Sequence, residues 1–216
     1  MAETIHVTTQ AEMAAAIERQ KTDPDVRIEV HDSATVTAYG SAVVYAYDRA
    51  TVNASGSTKV NAHGSATVNA SRFVTILRRS PRSRVSGGQV PDLSTPLGWC
   101  EYTGAATGSP GTYILYKGVD AGFRSAHGTV YLPGTEQVAR DWDGGAEECG
   151  GGLHFCAHPA ATLQFVEAVK FVACEVALAD MAAHEFPQYP NKIKARACRV
   201  LYECNVHGER ITTEVA

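Results

Sequence analysis

An aliphatic residue recurs at every eighth position over about a quarter of this chain. The positions are Ile28, Val36, Val44, Val52, Val60, Val68 and Ile76. Around them a unit of the form A-T-V-x-A-x-G-S repeats over Ala34–Ser41, Ala42–Arg49, Ala50–Ser57, Thr58–Ser65 and Ala66–Phe73. A fixed short period of this kind indicates a stacked structure, in which each unit packs mainly against its neighbours.

Within each unit, apolar and polar residues alternate as they do in a β-strand. In the first unit Ala34, Val36 and Ala38 share one face, and the residues between them share the other. Successive side chains of a strand point to opposite faces, so each octad predicts one short strand followed by a corner. The residues that supply backbone freedom at the corners are Gly40, Asp48, Gly56 and Gly64.

Small inward side chains allow two sheets to lie closer than the usual separation of about 10 Å. The octads therefore predict a thin, two-sheeted β-solenoid with two octads, or sixteen residues, in each coil. The alternative is an antiparallel meander of eight-residue hairpins, which requires stronger two-residue turns than these. In the solenoid, Val36, Val52 and Val68 would stack in one sheet and Val44, Val60 and Ile76 in the other, with outward ladders of Thr37, Asn53 and Asn69 and of Tyr45 and Asn61.

Residues 1–25 are expected to cap one end of this stack. Ile5–Val7 has the pattern of a short strand, and Thr9 with Glu12 has the spacing of a capping box at a helix start. An apolar stripe at helical spacing follows, and the helix is expected to end near Gln20, ahead of Pro24. The stripe consists of Met13, Ala16 and Ile17.

Composition limits the function classes. A net charge of −4 and a pI of about 6.1 give no electrostatic case for nucleic acid or an anionic membrane. No apolar run approaches the length of a membrane span, and no secretory signal pattern opens the chain. The six cysteines are then expected to be free thiols, and the expected location is the cytoplasm.

The octad pattern ends at Ile76, which predicts four segments: the cap (1–25), the solenoid (26–76), a linker (77–97) and an α+β domain (98–216). The linker carries four arginines between Leu77 and Arg84 and is predicted to be a basic linker or an irregular wrap over the last coil. Without aromatic residues between the arginines, a solvated strap is favoured over a site for phosphate or nucleic acid.

In residues 98–216 the pattern becomes that of a small mixed α+β domain. The glycines 150–152 allow close backbone approach before a short strand, and Pro159 suits the first position of a helix that runs to about Phe165. The other predicted strands are Thr112–Val119, a short one with a turn over Thr129–Gly134, Lys170–Ala177 and a longer one over Lys192–Glu203.

Four motifs resemble an uncharacterised family of actinobacterial and actinobacteriophage proteins that join an alanine-valine octad solenoid to a C-terminal module. The motifs are Tyr116–Val119, Asp141–Asp143, Cys149–Phe155 and Lys192–Arg196. The resemblance covers most of the chain and implies a phage or host origin and a fold, but it implies no reaction.

The C-terminal half also has a loose similarity to the ADP-ribosyltransferase fold. The order of His127-Gly128-Thr129, the glycine strand through Gly152 and His154, Ala160-Ala161 and Glu175–Leu178 follows that fold. The similarity implies that His127, Gly128, Thr129, Gly152 and His154 bind NAD, with His127 and His154 as catalytic candidates. It does not extend to the catalytic glutamate, because Pro190–Ile193 stands at that place.

A second chemical hypothesis is a zinc site. Cys149, His154, Cys156 and His158 place four zinc-type ligands in ten residues, although without the C-x2-C spacing that usually positions paired thiolates. The alternative is a half-buried strand in which the cysteines act as small apolar residues. The remaining strand cysteines, Cys174, Cys198 and Cys204, are predicted to fill the core.

Residue types also permit acid–base or nucleophilic chemistry in this region. Cys149 or Cys156 has the type of a nucleophile, with His154 or His158 as its base. An acidic stretch nearby would supply a carboxylate pair or form a solvated loop, and together with His154 it would line the pocket of the domain. Its acidic residues are Asp141, Asp143, Glu147 and Glu148.

Two functions from different classes follow. The first is a non-enzymatic binding or assembly protein, whose solenoid presents flat polar ladders to a protein partner or to a second copy. The second is an ADP-ribosyltransferase-like or NAD-binding enzyme carried by the C-terminal domain. The first requires no cofactor, and the second requires a cleft that contains both His127 and His154.

Overall fold

A computed structural model describes residues 3–211, which form two compact units. The first unit ends at Pro91, and the second begins at Asp92. Among the residues that the structure describes, no helix has the length and apolar character needed to cross a bilayer.

The first unit is a β-solenoid of about four turns with about 16 residues in each turn. The elements are β1 (Thr4–Val7), α1 (Gln10–Thr22), β2 (Arg27–Val30), β3 (Thr35–Ala38), β4 (Val43–Ala46), β5 (Thr51–Ala54), β6 (Lys59–Ala62), β7 (Thr67–Arg78) and β8 (Arg84–Gln89). The strands pair in parallel, with β3, β5 and the first half of β7 in one sheet, and β1, β2, β4, β6 and the second half of β7 in the other.

The eighth-position residues form the interior, as the octads predict. Val36 lies opposite Val52, and Val52 lies opposite Val68, so one column runs through the first sheet. The matching column in the other sheet pairs Val44 with Val60, which in turn pairs with Ile76. Each of these residues is at most 1% exposed, and the parallel pairing shows that the antiparallel alternative is wrong.

The corners adopt the left-handed conformation that the glycine and aspartate positions predict. Gly40 and Gly56 have φ of 71° and 70°, and Asp48 and Gly64 have φ of 53° and 55°. Aspartate tolerates this region because its short side chain hydrogen-bonds locally. Here an Asp48 carboxylate oxygen accepts a hydrogen bond from the Asp32 N–H at 3.2 Å.

Gly40 and Gly56 provide a matched test of the coil stacking. They have nearly the same φ, but a Cβ at Gly56 would lie 2.7 Å from the Gly40 carbonyl oxygen, whereas a Cβ at Gly40 meets nothing within 4 Å. Both alanine variants carry the left-handed penalty of about 1–2 kcal/mol. We expect Gly56→Ala to cost at least about 1 kcal/mol more than Gly40→Ala in urea unfolding followed by far-UV circular dichroism. Equal losses would contradict the observed stacking of one corner on the next.

The N-terminal cap is a helix that protects strand edges. Both hydrogen bonds of the Thr9–Glu12 capping box are present, and α1 extends two residues beyond the expected end at Gln20. Its buried face consists of Met13, Ala16 and Ile17, and the helix packs against β1, β2 and β3.

Two glutamines of α1 complete the backbone hydrogen bonds of neighbouring strands. The Gln10 amide bonds both the N–H and the C=O of Thr37, at 2.6 and 3.1 Å. The Gln20 amide does the same for Val43, at 2.8 and 3.1 Å. Open strand edges invite unwanted pairing, and Gln10 closes part of the free edge of β3. Gln20 also donates to the Val26 carbonyl at 2.7 Å and so bridges Val43 to the segment before β2.

One part of the range 77–97 is regular. β8 runs parallel to β7, and Val85 lies opposite Val68, one residue beyond the sixteen-residue spacing. The extra residue hides the inward column from a search for octads, which is why the sequence suggests a linker here.

In the outward ladder of the other sheet, Asn61 is only 3% exposed, because the Arg79 guanidinium donates to its side-chain oxygen.

The second unit is built on one antiparallel sheet with short helices. Its α-helix is α2 (Pro96–Thr103), and two 3₁₀-helices span Pro159–Gln164 and Leu178–Asp180. The strands are β9 (Ala106–Thr107), β10 (Thr112–Val119), β11 (Glu136–Val138), β12 (Leu153–Cys156), β13 (Lys170–Ala177), β14 (Met181–Ala182), β15 (Lys192–Ala195) and β16 (Ala197–Cys204). The strand order is β11-β16-β13-β10-β12-β15-β14, with β9 paired to β10.

The predicted strands at β10, β12 and β13 are confirmed, and three other predictions need correction. The expected strand over Thr129–Gly134 is a loop with a single bridge between Arg124 and Val130. The helix from Pro159 is present, but as a 3₁₀-helix over Pro159–Gln164. The long strand Lys192–Glu203 breaks at Arg196, whose N–H donates to the Asp180 carbonyl, and its two halves pair with different strands.

Candidate functional site

The second unit contains a cleft of about 700 Å³. Three segments form it: the loop 127–130, the stretch 137–141 that includes the end of β11, and the glycine loop that leads into β12. Its lining residues are His127, Gly128, Thr129, Val130, Gln137, Val138, Ala139, Arg140, Asp141, Cys149, Gly150, Gly152, Leu153 and His154.

The cleft brings together all five residues that the sequence proposes for a nucleotide. His127, Gly128 and Thr129 lie on one loop of the cleft. Gly152 and His154 lie on a second segment, where the glycine loop enters β12. The loop is shaped by a tight turn, in which the Gly128 N–H donates to the Ser125 carbonyl at 2.8 Å and Gly128 has φ of 83°.

Gly151 holds the glycine loop close to the segment that precedes it. A Cβ at Gly151 would lie 1.5 Å from the Asp141 carbonyl oxygen, so no side chain fits there. The Gly152 N–H donates to an Asp141 carboxylate oxygen at 3.2 Å. The segment around Asp141 and the glycine loop therefore lie in direct contact along one wall of the cleft, and the absence of a side chain at Gly151 makes this close approach possible.

The acidic stretch beside the cleft is mostly structural. Both oxygens of Asp143 accept hydrogen bonds from Lys194 Nζ, at 2.5 and 2.7 Å, and Lys194 is 1% exposed. This ammonium group is the main reason that the pKa of Asp143 lies below its usual value. The Glu148 carboxylate accepts the backbone N–H groups of Gln188 and Tyr189, at 2.6 and 2.7 Å.

These contacts decide between the uses proposed for the acidic residues. Of the lining residues in the described part of the chain, Asp141 is the only carboxylate. Asp143 and Glu148 anchor the loop to β15 and to the segment around Tyr189, and Glu147 is exposed. Among the described lining residues, the arrangement offers one carboxylate to a ligand and holds no pair of carboxylates in the cleft.

His154 is half-buried and lines the cleft. Its Nε2 lies 3.3 Å from the Glu148 carbonyl oxygen, and burial first, then the nearby Lys192, lowers its pKa to about 4. Lys117 and Lys194 act in the same direction. His154 is therefore a neutral imidazole at neutral pH, suited to hydrogen bonding with a ligand.

The lowered pKa of His154 predicts a loss of stability in acid. Between pH 6.5 and about pH 4 the unfolded chain binds a proton on this histidine that the folded chain does not. The free energy of unfolding therefore decreases as the pH is lowered through this window. Because the ring is half-exposed, we expect a loss of about 1–2 kcal/mol. Both tryptophans lie after position 92, so urea unfolding followed by their fluorescence at about pH 7.5 and about pH 5 measures this unit. His154→Gln should reduce the pH dependence by that amount; an unchanged dependence would contradict the assignment.

The proposed zinc ligands do not converge. Among residues 3–211, no three of the donor atoms of Cys149, His154, Cys156 and His158 come within 4.8 Å of one another. His158 Nε2 lies 3.0 Å from the Thr103 carbonyl oxygen, and Cys149 Sγ accepts from Lys192 Nζ at 3.1 Å. The strand β12 ends at Cys156, and the chain then turns His158 away towards α2.

The cysteines divide into one exposed and five buried thiols. Burial raises the pKa of Cys156 to about 12, which leaves it a protonated thiol and a poor nucleophile. Cys174, Cys198 and Cys204 are buried in the sheet, as predicted. Cys149 is exposed and lines the cleft with His154, so these two are the thiol and imidazole that the structure brings to one site.

Sequence reasoning missed two polar residues of the cleft, Gln137 and Arg140. Neither belongs to a motif. The pairing of β11 with β16 positions Gln137, and Arg140 comes directly after Ala139, whose N–H donates to the Arg196 carbonyl. It also missed Lys117, which lies beside the cleft residue His154 and donates to its carbonyl oxygen at 2.9 Å. Burial lowers the pKa of Lys117.

The fold and the cleft together define a protein in which a β-solenoid is followed by an antiparallel-sheet domain that contains a polar cleft. Residues 113–210 match the model of a family described as a domain of unknown function, DUF7666, and this range includes the entire lining of the cleft. Comparison with curated proteins and with solved structures found no match.

Proposed function

We propose that this chain is a non-enzymatic binding or assembly protein whose solenoid is a docking and oligomerisation surface for a second copy of the chain. The observation that supports this is the outer face of β3, β5 and β7, which we call the ladder face. It carries two ranks of uncharged polar side chains in register. The ranks are Thr35, Thr51 and Thr67, and Thr37, Asn53 and Asn69.

The chemistry of the ladder face suits contact with itself. Hydroxyl and amide groups both donate and accept hydrogen bonds, so a copy turned by 180° presents complementary groups. Within the ranks one side-chain hydrogen bond is formed, from Asn69 Nδ2 to Asn53 Oδ1 at 3.0 Å. Arg84 on β8 borders the face at one end, so the two copies in such a pair hold their arginines at opposite ends.

The opposite sheet is less suited to this role. Its outward residues on β2 and β6 include Arg27, Glu29 and Lys59. In a symmetric contact these side chains would face like charges or would require new ion-pair partners. The ladder face is small, however. Three strands about 4.8 Å apart and four residues long give about 200 Å² per copy, below the roughly 800 Å² per partner of a stable interface. The proposed association is therefore weak and concentration-dependent.

Sedimentation velocity of the full chain over a wide concentration range tests this proposal. We expect the weight-average sedimentation coefficient to rise with concentration, and Thr51→Lys to abolish the rise because it places like charges opposite each other. Ser57→Lys adds the same charge at an exposed corner outside the ladder face and should leave the rise unchanged. A monomer at every concentration, or equal effects of the two variants, would overturn the proposal.

A second candidate function is NAD binding by the cleft. It is favoured by the convergence of His127, Gly128, Thr129, Gly152 and His154 on one cleft. Arg140 adds a guanidinium group there, which is suited to phosphate oxygens. A glutamate that would complete a transferase site is not among the described lining residues, so this candidate is a binding function before it is a catalytic one.

Isothermal calorimetry with millimolar NAD tests the second candidate. Binding should give heat with the wild-type chain and lose it with His127→Ala, which alters an exposed loop residue. His207→Ala, at another exposed histidine of the same unit, is the control. If the wild-type chain gave no heat, NAD binding would be overturned and assembly would be the one proposed function that stands.

The proposal extends to origin and location. We propose a phage or actinobacterial protein that acts in the cytoplasm, or in the host cytoplasm if phage-encoded, without a membrane or nucleic-acid partner. All six cysteines are free thiols, which suits a reducing compartment. In the basic segment, Arg78 donates to the Pro81 carbonyl and Arg79 to Asn61, so these two side chains serve the solenoid itself.

A further inference from the structure

Three side chains at the capped end of the solenoid place metal-binding atoms close together. His6 lies on β1, Glu29 on β2 and His31 directly after β2. One donor atom from each lies within 4.8 Å of the other two. In the chain between residues 3 and 211, this is the one group of three or more histidine, cysteine or carboxylate donors that meets this distance.

The parallel pairing of β1 with β2 creates this group. His6 is the register partner of Glu29, so their side chains lie side by side on the outer face. His31 is two residues beyond Glu29 and therefore returns to the same face. Glu29 Oε2 lies 3.5 Å from His6 Nδ1 and 3.0 Å from His31 Nε2.

Neighbouring groups orient the side chains of Glu29 and His31. Arg27 Nε donates to the other Glu29 oxygen, Oε1, at 2.5 Å, which leaves Oε2 facing the histidines. His31 Nδ1 lies 3.6 Å from an Asp48 carboxylate oxygen, and the His31 ring stacks on Tyr47 with a centroid distance of 4.7 Å. A carboxylate on the far nitrogen and a fixed ring plane are the usual outer partners of a metal-binding histidine.

We propose that His6, Glu29 and His31 bind a divalent transition-metal ion of the zinc type, through His6 Nδ1, Glu29 Oε2 and His31 Nε2. Two imidazoles and one carboxylate are a ligand set for zinc, cobalt, nickel or copper, with a remaining position for water. Bonds of about 2.0–2.1 Å in a tetrahedron separate ligand atoms by roughly 3.3 Å. The observed separations of 3.0 and 3.5 Å bracket that value.

A bound ion would fasten the cap to the solenoid. His6 and Glu29 stand at the two ends of the segment that contains α1, and the ion would link them side chain to side chain. Since the ligands come together only in the folded chain, binding would stabilise the first unit in proportion to the free metal concentration.

Zinc titration of the untagged, chelator-treated full chain is the test. We expect one calorimetric site, and a rise of at least about 5 °C in the melting temperature measured by far-UV circular dichroism at saturating zinc. The tryptophan-fluorescence transition, which follows the second unit, should not move. His6→Gln and His31→Gln should each lose the heat and the shift, and His6 has a side chain that is 67% exposed, so its variant is expected to fold.

Two matched variants distinguish this site from other sources of zinc binding. His207→Gln removes an exposed histidine of the second unit, and Cys149→Ser removes the exposed cleft thiol; both should bind zinc as the wild type does. Loss of binding in Cys149→Ser with retention in His6→Gln would assign the ion to the cleft and overturn the proposal. No binding to the wild-type chain would also overturn it, and the three residues would then be a hydrogen-bonded cluster only.

Discussion

Val52→Asp is expected to unfold the solenoid. Val52 is fully buried between Val36 and Val68, in an interior too thin for a carboxylate to reach water. A buried, unpaired acidic group costs several kcal/mol, and we expect a loss of at least about 4 kcal/mol, comparable to the whole stability of a small unit. Far-UV circular dichroism should show the loss of strand signal at room temperature, while tryptophan fluorescence reports whether the second unit keeps its fold.

The neighbouring residue supplies the control. Thr51 points outward on the same strand, so Thr51→Asp adds an identical charge without burying it. We expect this variant to change the free energy of unfolding by no more than about 0.5 kcal/mol. If the two variants were equally stable, the valine column would not be the interior of the first unit, and the assignment of faces would be wrong.

Lys194→Met is expected to have the second large effect. The ammonium group of Lys194 is buried and holds Asp143, whose other hydrogen bonds shape the loop beside the cleft. Removing Lys194 leaves the Asp143 carboxylate without its ion-pair partner, so we expect the free energy of unfolding of the second unit to fall by more than the loss of a solvent-exposed ion pair would cause. Urea unfolding followed by tryptophan fluorescence measures it, and Trp142, which lies near Lys194, should also change its emission in the folded state.

Lys170→Met is the matched control for this change. Lys170 pairs with Glu203 at 3.2 Å, but its side chain is 30% exposed, and an ion pair open to water contributes at most about 1 kcal/mol. Similar losses in the two lysine variants would show that burial of the Lys194 pair does not matter for stability.

The capped end bears on how copies of this chain can associate. Gln10 occupies the backbone N–H and C=O of Thr37 on the edge strand β3, which a strand from another copy would otherwise use. Addition of a strand to β3 is therefore opposed at this position. Contact through the ladder face uses side chains only and is compatible with the cap, with or without a metal ion on His6, Glu29 and His31.

The first unit could be predicted from sequence because its contacts are periodic. Each inward residue meets the one sixteen positions away, so a single repeat length determines every pairing from Ile28 to Ile76. The prediction stopped where the period shifted by one residue, between Val68 and Val85. It also missed that Arg79 covers Asn61, since a ladder pattern says nothing about what packs over it.

The second unit was predictable only locally. The alternating patterns of β10 and β13 were sufficient for their strands, but the break at Arg196 depends on a hydrogen bond to Asp180. Local signals for α2 were present and overlooked: Thr95 caps its start, Pro96 opens it and Gly104 ends it with φ of 68°.

By itself, the sequence determined the solenoid, its sixteen-residue coil and its capping helix, because short-range periodicity and capping chemistry act between neighbours in the chain or between identical repeats. Only the tertiary structure decided that His127 and His154 share a cleft, that Asp143 serves Lys194, and that the proposed cysteine and histidine ligands separate. The physical reason is that antiparallel pairing in the second unit joins segments of unrelated sequence, and no repeat within the chain specifies which strand lies beside which.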